Sequence, residues 1–166
     1  LLTHESTIIN SKRNIMDLQN MKVAEVQLSY KTTVKASERP QINTSEDVYR
    51  VLKENWNYEI IEFIEEFKVL LLNRANRVIG IVPISVGGTA GTIADPKVIY
   101  VSALKANAAS IILAHNHPSG NLKASHADIK LTKKLKNAGL FLDLPILDHI
   151  ILTKDGFLSF ADEYLM

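Results

Sequence analysis

Two histidines form the part of this sequence whose residue types and spacing best fit metal chemistry. The stretch AHNHPSGNLKASHAD covers residues 114–128 and places His115 and His117 two apart at the end of an apolar run. Side chains at positions i and i+2 of a strand point to the same face, so both imidazoles can reach one ion. Pro118 and Gly120 predict a turn that brings the next segment back over the two rings.

Asp128 completes the predicted ligand set because of its place on the following helix. Leu131, Leu135 and Ala138 are spaced four and three apart, which predicts the inward face of a helix beginning at Ser125. Asp128 lies one turn earlier on that face, where a carboxylate is costly unless a cation meets it. Two nitrogens and one oxygen, with a fourth position left for water, are typical of a catalytic zinc site. The sequence therefore predicts one zinc ion per chain.

Each part of this pattern also has a purely structural interpretation. Ser125 and Asp128 alone form an ordinary capping box at the start of a helix. A His-x-His pair alone is common on surfaces and in satisfied cores. The strand end, the turn and the inward-facing acid together favour metal binding. Asp128 can serve as both a cap and a ligand.

The bulk composition is that of an ordinary globular domain. Of 166 residues, 46% are hydrophobic and 22% charged, and the formal net charge is +1. This near balance does not call for nucleic acid or an anionic membrane as a partner. The lack of cysteine excludes disulfides, thiolate zinc sites and a cysteine nucleophile. With no apolar run near the roughly 20 residues of a membrane span and no secretory pattern, we expect a cytoplasmic protein.

The order of predicted elements indicates an α/β fold. Residues 1–40 are expected to form an N-terminal arm with one strand, Val23 to Val34, that could pair across a homodimer. Residues 41–166 are expected to form the metal-binding domain, and the glycine-rich loop from Gly87 to Asp95 is a candidate lid. Helices alternating with strands, with one hairpin, predict a mixed β-sheet flanked by helices. Helices are predicted over 44–52, 58–65, 96–108 and 125–138, and strands over 67–72, 78–86, 110–114 and 149–153.

The pattern His115-x-His117-Pro118, followed after six residues by Ser125-x-x-Asp128, resembles the signature of the JAMM (MPN+) metalloproteases. The wider text resembles the RadC-like branch, once named for DNA repair. That resemblance covers most of residues 60–166, including Glu66-Phe67, Val69 to Leu72, His115 to Gly120, Leu147-Asp148-His149 and Ser159-Phe160-Ala161. It implies a JAB/MPN α/β sandwich related to cytidine deaminases. The helix-hairpin-helix region common in RadC-like chains has no counterpart in residues 1–40, which weakens a DNA-repair role.

The resemblance also implies a glutamate just before a hydrophobic strand, which acts on the water that the metal activates. Glu66 before Phe67 matches that place, and Glu65 is the alternative register. Without the resemblance, Glu59, Glu62 and Glu65 indicate a solvated acidic helix face that Glu66 simply ends.

The expected reaction is zinc-assisted hydrolysis of a peptide or isopeptide bond in a protein or peptide substrate. Zinc lowers the pKa of its water toward roughly 7, Glu66 accepts the proton, and the Ser125 hydroxyl stabilises the oxyanion. Two alternatives stay open: a metal-bearing interaction module without hydrolysis, and a DNA-repair factor. The near-neutral charge argues against strong direct DNA binding.

Two further features have a structural and a functional interpretation. Asp148 and His149 match the family. They either form hydrogen bonds to the metal ligands or have a purely structural role in the core. Five lysines are concentrated around one predicted helix, as a solvated outer face or as a patch for nucleic acid. These lysines are Lys123, Lys130, Lys133, Lys134 and Lys136.

Overall fold

A computed structural model describes residues 30–88 and 93–166, and within them five strands form one sheet with helices on both faces. The strands are β1 (Glu66–Leu72), β2 (Val78–Val86), β3 (Ser110–Asn116), β4 (Ile146–Leu152) and β5 (Phe157–Ser159). The helices are α1 (Ser45–Glu54), α2 (Pro96–Lys105) and α3 (His126–Phe141), and a 3-10 turn (Ala36–Glu38) precedes α1. The predicted α/β fold with a mixed sheet is confirmed.

The sheet has the order β2-β1-β3-β4-β5. β1 runs antiparallel to both β2 and β3, and β5 runs antiparallel to β4. β3 and β4 are parallel, and α3 forms the crossover between them. In the pairing of β1 with β3, Phe67 lies opposite His115, which fixes the residues of β1 that share a face with the histidines.

Alternation along β1 divides its side chains between two cores. Val69 and Leu71 pack in the core beneath α2 and α3, whereas Leu70 and Leu72 pack in the core beneath α1. Fully burying each such side chain contributes about 1.5–3 kcal/mol. A slip of one residue would exchange the two sets between cores, so packing on both faces holds the register.

Each of the three helices begins at a side chain that caps it. Thr44 accepts from the backbone N–H of Asp47 at 3.2 Å, and Asp47 accepts from the N–H of Thr44 at 3.0 Å, a capping box that begins α1. The Asp95 side chain caps α2, with Pro96 as the first helical residue. Ser125 caps α3.

The apolar residues of α2 are divided between an exposed side and a buried side. Val98, Val101 and Leu104 are 43%, 62% and 52% exposed. The helix is apolar on more than one side and packs instead through Ile99, Tyr100 and Ala103. The Tyr100 hydroxyl donates to the backbone carbonyl of Leu135 on α3, which selects this face.

Two shorter expectations are also corrected. Residues 58–63 form turns rather than the predicted helix. The chain after β5 also forms turns. Tyr30 to Val34 carries no strand, and the rest of the strand predicted from Val23 lies outside the described residues. The lid predicted at Gly87 to Asp95 includes residues 89–92, which also lie outside them. No helix within the described ranges is both long and apolar enough to cross a bilayer.

Candidate metal centre

The end of β3 and the start of α3 bring together the three predicted metal ligands. His115 is the penultimate residue of β3 and is 1% exposed, and His117 follows the strand and is half-buried. Asp128 stands in the first turn of α3, over the same face of the sheet. One ligand atom from each residue lies within 4.8 Å of the other two.

The spacing of the donor atoms fits a single ion. Nε2 of His115 lies 3.0 Å from Nε2 of His117 and 3.4 Å from Oδ1 of Asp128, and Nε2 of His117 lies 3.7 Å from Oδ2 of Asp128. Two donors, each 2.0–2.1 Å from one tetrahedral zinc ion, are roughly 3.3 Å apart. The described part of the chain therefore contains a His-His-Asp group that could hold a metal ion.

Ser125 and Asp128 form the second capping box of the fold. Asp128 Oδ2 accepts from the Ser125 N–H at 2.7 Å, and Ser125 Oγ accepts from the Asp128 N–H at 3.1 Å. Asp128 Oδ1 faces His115, so one carboxylate serves the cap and faces the histidines. Ser125 also lines the cleft beside His117.

The charges of the group follow from its burial and its close spacing. Burial lowers the pKa of His115 to about 4, although Asp128 opposes the shift. The Asp128 carboxylate raises the pKa of His117. Burial alone would raise the pKa of Asp128, but His117, His115 and the Ser125 hydrogen bonds together lower it well below its usual range. The group is thus an anionic carboxylate facing a neutral imidazole and a basic one.

His149 contacts the group from behind, whereas Asp148 does not. Nε2 of His149 lies 2.8 Å from Nδ1 of His115, and Nδ1 of His149 lies 2.6 Å from Oγ1 of Thr132. Asp148 instead accepts hydrogen bonds from the Ser159 hydroxyl at 2.6 Å and from the Ala161 N–H at 3.0 Å. Thr132 was absent from the predicted site residues because a threonine in a helical apolar stripe gives no chemical signal.

The carboxylate of Glu66 lies on the opposite face of the sheet from the histidines. Glu66 shares its face with Lys68, whose Nζ is 3.4 Å from Oε2 of Glu66. Lys68 also donates to the carbonyl of Asn55 at 3.2 Å and lies over the Trp56 ring at 4.3 Å, which places this ion pair near α1. Phe67, the next residue, is the one that stacks on His115.

Glu65 stands on the histidine side. It lines the same cleft as His117 and Ser125, and its charge contributes to the raised pKa of His117. Its backbone carbonyl accepts from the N–H of Gly87 at 2.8 Å, which extends the pairing of β1 and β2 by one residue. Of the two adjacent glutamates, Glu65, the alternative register, is thus the one that shares a cleft with the histidine group, and the catalytic role expected for Glu66 stays a prediction.

Asn116, between the two histidines, ties the ligand strand to the segment that carries Glu65. Its Nδ2 donates to the carbonyls of Ile61 and Ile64 at 2.7 and 2.8 Å, and its Oδ1 accepts from the Glu66 N–H at 2.8 Å. The side chain is fully buried. In the sequence, the signal that marks Asn116 is its place at the centre of the His-x-His pair.

Comparison with known proteins agrees with this geometry. A family profile described as "RadC-like JAB domain" matches residues 42–165. A UPF0758 protein of Flavobacterium johnsoniae is 50% identical over 99 residues, which is 60% of this chain and 43% of that protein. UPF0758 proteins of Alkaliphilus metalliredigens and Clostridium botulinum are 37% identical over 126 residues and 34% identical over 146 residues.

These last two alignments cover 76% and 88% of this chain, and 53% and 62% of the two relatives. The chain thus spans between about two fifths and three fifths of the length of the curated relatives named here. The profile covers three quarters of the chain and includes every residue of the His-His-Asp group. The chain therefore belongs to the RadC-like JAB domain family.

Proposed function

We propose that this domain is a zinc-dependent hydrolase that cleaves an amide bond, either peptide or isopeptide. The observation that carries the proposal is the convergence of His115, His117 and Asp128 beside a cleft lined by Glu65 and Ser125. Two imidazoles and one carboxylate are the donors of catalytic zinc sites, which keep a further position open. The cleft supplies access to that position from solvent.

Zinc at this group would supply an activated water with a pKa near about 7 and would polarise the substrate carbonyl. Glu65 would accept the proton of the attacking water and return it to the leaving nitrogen. The Ser125 hydroxyl, at the rim of the cleft, would donate to the carbonyl oxygen as negative charge develops on it. Burial of His115 at the base of the group keeps its imidazole neutral and available as a ligand.

The shape of the cleft favours an extended segment of polypeptide as the substrate. Its volume is about 280 Å³, and most of the residues that line it have polar side chains, including Ser119, Asn121 and Lys123. Pockets that enclose a drug-sized ligand have volumes of roughly 300–1,000 Å³. The cleft therefore accommodates the residues around a scissile bond rather than a folded domain, and the proposed partner is a protein or peptide.

The experiment compares two adjacent glutamates. Zinc-loaded wild type, Glu65→Gln and Glu66→Gln would each be incubated with a peptide library made from a bacterial proteome, and new termini would be identified by mass spectrometry. We expect new termini with wild type and with Glu66→Gln, and none with Glu65→Gln at equal zinc content. An unbranched library does not report isopeptide cleavage, so a panel of lysine-branched peptides is included.

Three outcomes would contradict the proposal or the role that it gives to Glu65. No cleavage by fully zinc-loaded wild type in either library would favour the metal-bearing interaction module instead. Equal cleavage by wild type and Glu65→Gln would remove Glu65 from the reaction. Cleavage lost only in Glu66→Gln would restore the register first expected from the sequence.

A further inference from the structure

A buried series of hydrogen bonds joins the backbone of Asp128 to the ring of His115. Oγ1 of Thr132 donates to the carbonyl oxygen of Asp128 at 2.7 Å and lies 2.6 Å from Nδ1 of His149. Nε2 of His149 lies 2.8 Å from Nδ1 of His115. Thr132, His149 and His115 are at most 1% exposed, so the protein itself must supply their hydrogen-bond partners.

The chemistry of the donors and acceptors fixes the direction of this series. The Asp128 carbonyl can only accept, so it takes the one hydroxyl proton of Thr132. Oγ1 of Thr132 must then accept from Nδ1–H of His149. A neutral His149 with a proton on Nδ1 has a bare Nε2, which accepts from Nδ1–H of His115. A neutral His115 is thereby left with a bare Nε2.

That bare Nε2 is the atom of His115 that faces the other two predicted ligands. It lies 3.0 Å from Nε2 of His117 and 3.4 Å from the Asp128 carboxylate. A metal binds the unprotonated nitrogen of an imidazole, and the hydrogen bond of the other nitrogen decides which one that is. The reverse direction would put a proton on Nε2 of His115 and would block metal binding through it.

We infer that Thr132 and His149 are positioning residues that hold His115 in the tautomer that binds metal through Nε2. The inference deepens the proposed function and rests on its metal-binding part. Because the series ends on the backbone of Asp128, the residue that would supply the carboxylate ligand also orients a histidine ligand. Binding of the ion would therefore favour the ligand position of the Asp128 carboxylate and the metal-binding tautomer of His115 together.

Aromatic neighbours restrict the ring of His149 in the same arrangement. Phe160 lies with its ring centroid 4.6 Å from that of His149, and Phe67 lies at 5.7 Å on a second side. Phe67 also stacks on His115 at 5.9 Å. Apolar rings thus hold the two imidazoles in place. The direction in which the hydrogen bonds run from donor to acceptor depends on the Thr132 hydroxyl.

The test removes that hydroxyl without changing the shape of the side chain. Imidazole nitrogen–proton correlation spectra would be recorded on the metal-free protein, and zinc affinity would be measured by competition with a chromophoric chelator. In wild type we expect His115 with its proton on Nδ1. In Thr132→Val we expect mixed tautomers of His115 and His149 and a zinc affinity weaker by about 10-fold or more. Thr132→Ser, which keeps the hydroxyl, should match wild type.

A wild-type spectrum with the proton of His115 on Nε2 would overturn the inference, even if Thr132→Val does not fold. So would a folded Thr132→Val whose zinc affinity equals that of wild type, because a residue that only fills the core would leave the tautomer unchanged. The expected spectra and zinc affinities in a protein that cleaves no peptide would support the inference while contradicting the proposed hydrolase function. The two proposals can therefore fail separately.

Discussion

Asn116 accepts a hydrogen bond from the backbone N–H of Glu66 at 2.8 Å, although the two residues are fifty positions apart. The bond joins the strand that carries His115 to the first residue of β1. Through its two further bonds, to the carbonyls of Ile61 and Ile64, the same amide holds the turns that precede Glu65. One buried side chain thus joins the segment that carries Glu65 to the strand that carries His115, in addition to the pairing of β1 with β3.

Replacement of Asn116 by alanine should destabilise the fold and loosen this connection. Two buried carbonyls and one N–H would lose their partner, and each unsatisfied group costs about 1–3 kcal/mol. We expect the free energy of unfolding in urea to fall by about 3 kcal/mol or more. Asn137→Ala, an exposed position on α3, is the control and should stay within about 0.5 kcal/mol of wild type. Equal stability of the two variants would show that Asn116 is not a structural connection.

The His-His-Asp group could be predicted from the sequence because its geometry is mostly local. Two histidines at the end of one strand share a face by the alternation of side chains, and Asp128 lies on the inner face of the next helix by its spacing from Leu135. A short turn between them leaves few ways to connect the two. The fold therefore brings together the three side chains, His115, His117 and Asp128, that the sequence predicts to lie together.

Local sequence alone does not predict which of Glu65 and Glu66 faces the histidines. From Val69 to Leu72, β1 is apolar on both faces, so its pattern does not show which of its residues face the histidines. The pairing of Phe67 with His115 settles that question, and it is a contact between strands far apart in sequence. The turns at residues 58–63 were missed for a similar reason, since the carbonyls of Ile61 and Ile64 accept from Asn116.

Zinc content should depend on His117 and not on a nearby exposed histidine. Without His117 the group retains one imidazole and one carboxylate, which are too few donors for a tight zinc site. Elemental analysis of protein purified without chelator should show zinc near equimolar with the chain in wild type and far less in His117→Ala. His126→Ala, at the exposed first residue of α3, should retain the wild-type content. Equal zinc content in wild type and His117→Ala would refute the ligand assignment.

The metal-free protein should lose stability as the pH falls from about 7 toward 4. Burial lowers the pKa of His115 to about 4 from an ordinary 6.5, so below pH 6.5 the unfolded chain takes a proton that the folded chain refuses. The stability due to neutral His115 is complete above pH 6.5, and about 3 kcal/mol of it is lost by pH 4. His149, whose pKa burial also lowers, acts in the same direction, whereas the raised pKa of His117 partly offsets both.

Urea unfolding in the presence of a chelator at a series of pH values measures this loss. Removal of the titrating group in His115→Gln should flatten the slope between pH 6.5 and 4, even if the variant is less stable at pH 7. A slope equal to that of wild type would show that His115 is not held neutral by burial.

The lysines of α3 should behave as a solvated face rather than as a nucleic-acid site. Lys130, Lys133 and Lys134 are exposed, and none takes part in the ion pairs found within residues 30–88 and 93–166. Three lysines can contact few phosphates of DNA, and salt at near-physiological concentration screens the attraction between the lysines and the phosphates. We expect no binding to a labelled DNA duplex tighter than about 0.1 mM at about 0.15 M salt. A micromolar affinity that is lost when all three become glutamine would support the DNA-repair alternative.

Ser125 is the residue at which the structural and catalytic roles overlap, and the fold supplies a matched control. Thr44 on α1 makes the same capping box with Asp47 that Ser125 makes with Asp128. Loss of either cap hydroxyl should cost about 0.5–2 kcal/mol of stability. Of these two capping residues, Ser125 alone lines the cleft beside His117. Loss of its hydroxyl should therefore affect turnover, and loss of the Thr44 hydroxyl should not.

We therefore expect Thr44→Ala and Ser125→Ala to lower the free energy of unfolding by similar amounts, whereas Ser125→Ala alone lowers turnover, by about 10²–10³. Ser125→Asp provides the complementary variant, because aspartate is a good cap but offers no hydroxyl donor to an oxyanion. It should keep stability near that of wild type and still lose turnover. Zinc content must be measured beside each rate, since an added carboxylate near Asp128 alters the charge around the ion. Near-normal turnover in zinc-loaded Ser125→Ala would confine Ser125 to capping the helix.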